Sequence, residues 1–276
     1  MLHIELKRKA NQIRRHVLEM VYTAKSGHIG GSLSSADIMT YLYFQEMNID
    51  PVQPNWVERD RFVLSKGHVT PVYYATLAER GFFPLEDLLT FRKADSYLQG
   101  HPNMNKVPGV DMSTGSLGQG VSVAVGMALG ARFQGRDSRV YTLMGDGELG
   151  EGQIWEAFMF AGNQKLSNLV VIIDNNDLQC DGHLEEVNSP YPIDKKLEDF
   201  HFHVQVVDGH NFEELERAFT AARKYKEGPT AIVAKTTKGK GVSFMENRAE
   251  WHGAVPNTEE YLAAMKELQD GQFSIY

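Results

Sequence analysis

Arg139-Val-Tyr-Thr-Leu-Met144, followed at once by Gly145-Asp146-Gly147-Glu148, decides how this chain is read. The run has the length and apolar character of a buried strand, and the two glycines permit a tight turn with close backbone approach. Glu151-Gly-Gln-Ile-Trp-Glu-Ala-Phe-Met-Phe-Ala161 then spaces its apolar residues as a helix does. Leu169-Val-Val-Ile-Ile-Asp174 reads as the next parallel strand, closed by the pair Asn175-Asn176. Ligands of open α/β sheets bind beyond the carboxyl ends of neighbouring strands, so Asp146 and Asn176 are expected at one site. A carboxylate, an amide oxygen and a free backbone carbonyl just past Asn176 are hard donors. They suit Mg²⁺ or Ca²⁺, with phosphate oxygens completing the shell, and suit zinc poorly.

A second reading uses the same residues. Gly145-Asp-Gly-Glu-Leu-Gly150 matches G-x-G-x-x-G between a strand and a helix, and Asp174 falls where a dinucleotide's ribose would be held. Asp146 and Glu148 would repel a pyrophosphate there unless a cation intervenes, and a metal resolves the conflict. Glycine, Asp and Asn are also ordinary turn residues, so an NAD site and a plain turn both stay open at this point.

Outward from this segment, strands alternate with helices. Arg61-Phe-Val-Leu-Ser65, Val204-Gln-Val-Val207 and Thr230-Ala-Ile-Val-Ala234 read as further strands, with helices over Ala36–Tyr43, Val121–Phe133 and Phe212–Tyr225. The alternation predicts an α/β fold: a mostly parallel sheet with helices on both faces. Linkers, low-complexity tracts and internal repeats are absent from the sequence, so residues 1–276 are expected as one domain. The Gly-rich, polar stretch 235–257 reads as a mobile loop, followed by a C-terminal helix over about 259–268.

The formal net charge of −8 leaves no surplus of Lys and Arg to displace phosphate counterions, which argues against nucleic-acid binding. The lone cysteine, Cys180, excludes an intrachain disulfide and multi-cysteine metal motifs, and with the lack of a signal-like or membrane-spanning run it sets a cytoplasmic expectation. Ile13, Val17, Leu18 and Val21 recur at helical intervals near the amino terminus, placing the basic residues between them on the solvated side of an amphipathic helix.

Histidines recur beside glycines, as Ser26-Gly27-His28, Lys66-Gly67-His68, Gln99-Gly100-His101 and Trp251-His252-Gly253. Singly, each is more often structural. Repeated on loops at one edge of a parallel sheet, imidazoles can hydrogen-bond phosphate and move protons near neutral pH. None of these pairs has the i, i+4 spacing of a zinc helix.

These motifs, with Thr114-Gly-Ser-Leu-Gly-Gln-Gly120 and the segment from Gly145-Asp146-Gly147 to Asn176, stand in the order found in transketolases, whose thiamin diphosphate signature the last of them resembles. The resemblance runs from the first helix almost to the end and covers the family's amino-terminal, diphosphate-binding domain. It implies thiamin diphosphate as cofactor, with Asp146, Asn176 and the Leu178 carbonyl holding Mg²⁺, or Ca²⁺ on the same donors. It implies His68, Gly147, Asn176 and His252 at the diphosphate, and Gly115, Ser116 and Leu117 at the aminopyrimidine. His28, His101 and His252 match positions that face substrate, Glu151 matches an acidic position at the dimer contact, and Cys180 falls beside the thiazolium pocket. Ile29 and Ser116 stand where full-length relatives commonly have proline, which leaves donor specificity open.

Full-length relatives continue into a pyrimidine-binding domain and a third domain, and neither follows Tyr276. The resemblance therefore implies the amino-terminal subunit of a split transketolase, moving a two-carbon ketol unit from an anionic ketose to an aldose with a companion subunit in an α₂β₂ assembly. A 2-oxo acid dehydrogenase-like subunit and a noncatalytic, cofactor-binding regulatory partner are the alternatives.

Overall fold

The apolar runs pair as one sheet. In the computed structural model, which describes residues 1–273, the strands in chain order are β1 (Arg61–Leu64), β2 (Val140–Gly145), β3 (Leu169–Asn175), β4 (Leu178–Gln179), β5 (Gly182–His183), β6 (His203–Asp208) and β7 (Thr230–Lys235). The last three residues of the expected 1–276 domain lie outside the described residues. β1, β2, β3, β7 and β6 lie side by side in that order, every neighbour parallel, while β4 and β5 form a small antiparallel hairpin.

Both faces of the sheet are covered, which is why its central strands read as continuous apolar runs. Tyr141, Leu143, Val170, Ile172, Ile232 and Ala234 join one core with the first helix, His3–Ala24. Val140, Met144, Val171, Ile173 and Val233 join the other, with the helices Gln119–Phe133 and Gly152–Asn163. Each large apolar side chain so buried contributes about 1.5–3 kcal/mol relative to exposure.

Several local expectations are revised. The basic residues of the first helix do not all face solvent: Arg14 is buried and ion-paired with Asp37 at 2.5 Å, because the helix is covered on more than its apolar stripe. The helix from Ala36 is regular only to Tyr41 and continues in π geometry over Leu42–Glu46. A helix over Thr70–Arg80 was not legible, since Thr70 through Ala78 are all buried and leave no polar face to mark its period. The stretch 235–257 contains buried Lys238, Val242, Met245 and Trp251, and the C-terminal helix runs over Thr258–Phe273.

Candidate functional site

The parallel register brings four chain reversals to the carboxyl edge of the sheet. Beyond β1 come Ser65, Lys66, Gly67 and His68; beyond β2, Asp146 and Gly147; beyond β3, Asn176; beyond β7, Thr236 to Lys238. Together with the loops carrying His28, His101, Gly115 and His252 they enclose a cleft of about 320 Å³. Backbone crowds its walls. A Cβ on Gly67 would stand 2.7 Å from the amide nitrogen of Gly115, and one on Gly147 2.9 Å from Gln179 Cβ, so both positions require glycine for close approach.

Two buried aspartates sit at the strand ends, Asp146 in the cleft wall and Asp174 beneath it. Asp174 is fully buried and fully answered: its Oδ2 accepts from Lys66 Nζ at 2.5 Å and Ser34 Oγ at 2.6 Å, and its Oδ1 from the Thr236 hydroxyl. Burial would raise its pKa, but the Lys66 ammonium and these donors outweigh it and hold the carboxyl below its ordinary range. That geometry contradicts the dinucleotide reading, because a fully buried carboxylate tied to Lys66 and not lining the cleft cannot reach a ribose. The G-x-G-x-x-G match fails as well: Gly147–Gly150 is a 3₁₀ turn that delays the helix to Gly152.

Asp146 is 2 % exposed. Its Oδ1 accepts the Gly147 N–H at 2.8 Å, and its Oδ2 accepts the Asp177 N–H at 2.7 Å and Asn175 Nδ2 at 2.9 Å. Burial, with the nearby Asp174 charge, pushes its pKa up to about 6. Its hydrogen-bond donors are neutral amides, which leaves this carboxylate short of positive charge, a deficit that a bound divalent cation would remove. Among the described residues no group of three or more His, Cys, Asp or Glu could hold a metal. One carboxylate with the oxygens of Asn176 and Leu178 offers part of a hard-donor shell, and ligand oxygens would have to complete it.

Asn175 and Asn176 divide their work. Asn176 lines the cleft, while Asn175 is buried, linking Asp146 to the Tyr191 hydroxyl at 2.9 Å and receiving Lys235 Nζ at 2.5 Å. Lys238, which sequence reasoning passed over, is the cleft's other buried cation. Its Nζ donates to the Leu178 carbonyl at 2.9 Å and reaches His252 Nδ1 at 3.1 Å. Burial lowers its pKa to about 8 while the nearby Asp146 and Asp174 charges hold it up, so it stays an ammonium at neutral pH, hydrogen-bonded to a carbonyl and an imidazole rather than to a carboxylate. The signal was present in Lys235-Thr-Thr-Lys238-Gly-Lys240-Gly241, a lysine just past the end of an apolar strand.

Three imidazoles form a triangle across the cleft. Ring centroids are 4.9 Å apart for His28 and His68, 5.4 Å for His28 and His252, and 5.3 Å for His68 and His252. Burial pushes His68 down to about 2 and His252 to about 4, the latter with help from Lys238. His28 and His101 are lowered by burial and then by Arg92. Neutral rings each present one N–H and one lone pair, the equipment for passing protons. The Nδ1 of His28 is buried without a hydrogen-bond partner.

Every residue that the family resemblance puts at the metal, cofactor or substrate lines this cleft except one. Ser116 is exposed outside it, while its neighbours Gly115 and Leu117 line it, because the loop turns Ser116 outward just before the helix at Gln119. Cys180 lines the cleft, and Glu151 is exposed. Glu148, to which the resemblance assigns no role, also lines the cleft and is buried. It accepts from Ser65 Oγ at 2.5 Å, the Gly118 N–H at 2.8 Å and the Gly145 N–H at 3.1 Å, tying three site loops together.

Residues 6–271 match the family model for the transketolase, thiamine diphosphate binding domain. The 6-deoxy-6-sulfo-D-fructose transketolase subunit of Clostridium sp. (strain MSTE9) is 45% identical over 266 residues, which are 96% of this chain and 97% of that protein. An apulose-4-phosphate transketolase subunit of Phocaeicola vulgatus is 45% identical over 268 residues, 97% of this chain and 94% of that one. Among solved structures, the transketolase of Campylobacter jejuni superposes with a TM-score of 0.91 at 33% identity, covering 100% of this chain and 46% of the larger one.

Proposed function

The chain belongs to the transketolase family as a thiamin diphosphate-binding domain, and from that premise we propose that it is the cofactor-holding subunit of a two-subunit transketolase that moves a two-carbon ketol unit from an anionic ketose to an aldose. One observation carries the reading: buried Asp146, in need of a cation, shares a cleft with the Asn176 and Leu178 oxygens, a buried lysine and a cluster of neutral imidazoles. Relatives matched over nearly their whole length are transketolase subunits, which favours this reading over a 2-oxo acid dehydrogenase-like or noncatalytic role.

The donors fit the cofactor. Asp146, Asn176 and the Leu178 carbonyl would hold Mg²⁺, and the same oxygen donors suit Ca²⁺ as its substitute. His68, Gly147, Asn176, His252 and Lys238 would meet the diphosphate, with Gly115 and Leu117 against the aminopyrimidine. When bound, thiamin diphosphate supplies the nucleophile and the electron sink. This chain's own residues then orient the substrate and handle its protons. His28, His101 and His252 face the open cleft, where a neutral ring can take a proton from a sugar hydroxyl or give one to a carbonyl oxygen. Lys238 donates to His252 Nδ1, which puts the His252 proton on Nε2, away from the lysine.

Two relatives of equal identity act by name on a sulfonated and a phosphorylated sugar, so a ketose with an anionic end is the shared demand. The companion would bring the pyrimidine-binding and third domains, as an α₂β₂ assembly in the cytoplasm. No described helix is long and apolar enough to cross a membrane. The test is two-carbon transfer from phosphorylated and sulfonated ketoses, assayed with the chain, the companion, thiamin diphosphate and Mg²⁺. Turnover that needs all four components and vanishes in Asp146→Ala is expected; a complete system that transfers nothing from either class would overturn the reading.

A further inference from the structure

Asp37 and Arg14 lie away from the cleft, yet the cleft lysine hangs from their network. Arg14, on the first helix, donates through Nη2 and Nη1 to the two oxygens of Asp37 at 2.5 and 3.2 Å, and through Nε to the Leu33 carbonyl at 3.2 Å. Asp37 Oδ2 also meets His210 Nδ1 at 2.7 Å. His210 Nε2 in turn accepts the backbone N–H of Thr237 at 2.9 Å. A backbone N–H only donates, so Nε2 must carry the lone pair and the ring proton sits on Nδ1, facing the carboxylate. Two neighbours thus select one tautomer, and the Arg14, Asp37 and His210 side chains are 8%, 8% and 13% exposed.

Thr237 precedes Lys238, in a stretch that has left β7 at Lys235 and has no ladder to hold it. Its position depends on a few bonds, among them the Thr236 N–H to the Asn175 carbonyl at 3.1 Å and the Lys240 N–H to the Thr237 carbonyl at 3.2 Å. Besides His210, the Gly239 N–H reaches the Gly30 carbonyl at 3.0 Å and the Asn247 N–H reaches the Lys238 carbonyl at 2.9 Å. Space is tight there, since a Cβ on Gly30 would stand 2.9 Å from Lys238 Cγ.

We propose that His210 is a positioning residue for the cleft: by holding the Thr237 N–H it fixes the backbone from which Lys238 projects toward the Leu178 carbonyl and His252, and thereby sets affinity for the diphosphate. The inference rests on the reading of the cleft as a thiamin diphosphate site. His210 does not itself line the cleft, so its influence passes through Lys238.

Two substitutions separate its bonds. His210→Gln puts a side-chain oxygen near the place of Nε2, keeping the acceptor for Thr237 and losing the donor to Asp37. His210→Asn puts an amide near the place of Nδ1, keeping that donor and losing the acceptor. For the complex with its companion, calorimetric affinity for thiamin diphosphate at saturating Mg²⁺ is measured beside the thermal midpoint. Affinity is expected to weaken about 10-fold in His210→Asn, the size typical of lost support behind a ligand-binding group, and to stay within about threefold in His210→Gln, although both midpoints fall. Equal affinities in wild type and both variants, or affinities that simply follow the midpoints, would overturn the proposal while leaving the cofactor reading intact. Absence of binding by the wild-type complex would overturn both. Imidazole ¹⁵N shifts of the wild-type protein give a check that requires no variant: a lone pair on His210 Nε2 supports the proposal, and a proton there refutes it.

Discussion

Asp146 and Asp174 close neighbouring strands, both buried, and their surroundings treat them oppositely. Asp174 faces Lys66, two serines and Thr236, and its charge is answered within the chain. Asp146 faces amide donors and keeps a pKa of about 6. The same contrast holds for the lysines, since Lys66 is neutralised by Asp174 whereas Lys238 spends its donors on a carbonyl and an imidazole. The lower layer is therefore answered within the chain, and on the proposed function the upper layer is completed by a ligand that brings both a cation and anionic oxygens. A metal diphosphate has that composition.

The largest effect that would break this comparison is on folding. Asp174→Ala strands the Lys66 ammonium under the cleft and is expected to lower the unfolding free energy by about 3–5 kcal/mol, read from denaturant titration. A loss below about 1 kcal/mol would mean that the lower layer is not what holds these loops. Asp146→Ala should do the reverse, leaving the ligand-free chain as stable as wild type or more so while weakening thiamin diphosphate binding in Mg²⁺ by more than about 100-fold, since the proposed metal ligand is lost. Parallel loss of stability in both variants would erase the distinction.

Acid sharpens it further. On the proposed function the metal needs Asp146 ionised, so cofactor affinity in Mg²⁺ should fall by about tenfold per pH unit below about 6. The stability of the ligand-free chain moves the other way through this group. Its folded pKa lies above the ordinary 3.8, so the folded state holds the extra proton and gains stability as pH drops from about 6 to about 4. Asp37 has the opposite sign: burial would raise it, but Arg14 and His210 hold it at about 2, so its contribution is present above about pH 4 and is lost as pH falls toward 2. Acid unfolding followed with and without Mg²⁺ and cofactor separates the two. The smallest expected effect is at Ser116, whose exposed side chain lies outside the cleft: Ser116→Ala should keep cofactor affinity within about twofold.

The upper layer was largely legible in the sequence. Asp146, Asn176 and His68 stand just past strand ends, strand ends of one parallel sheet share an edge, and the other histidines stand beside glycines on loops that reach it. The lower layer was not. Lys66 with Asp174, Glu148 with Ser65, and Arg14 with Asp37 join residues far apart in the chain, and nothing in local spacing says which buried charge meets which. Asp174 shows the cost, since its place at a strand end suited a ribose ligand equally well until its partner was seen. Lys238 was missed for a related reason, because a lysine in a Gly-rich stretch reads as solvated until the Leu178 carbonyl and His252 are found around it. Ser116 illustrates the converse: a motif places a loop at the site, but the turn decides which of its side chains face inward.

The central claim is that Asp146 makes cofactor binding depend on a metal. Calorimetric titration of thiamin diphosphate into the chain with its companion, in Mg²⁺ and again in a chelator, tests it most directly. Saturable binding in Mg²⁺ that disappears in chelator is the predicted result; equal affinity in both would show that the cleft takes its ligand without a cation and would contradict the account.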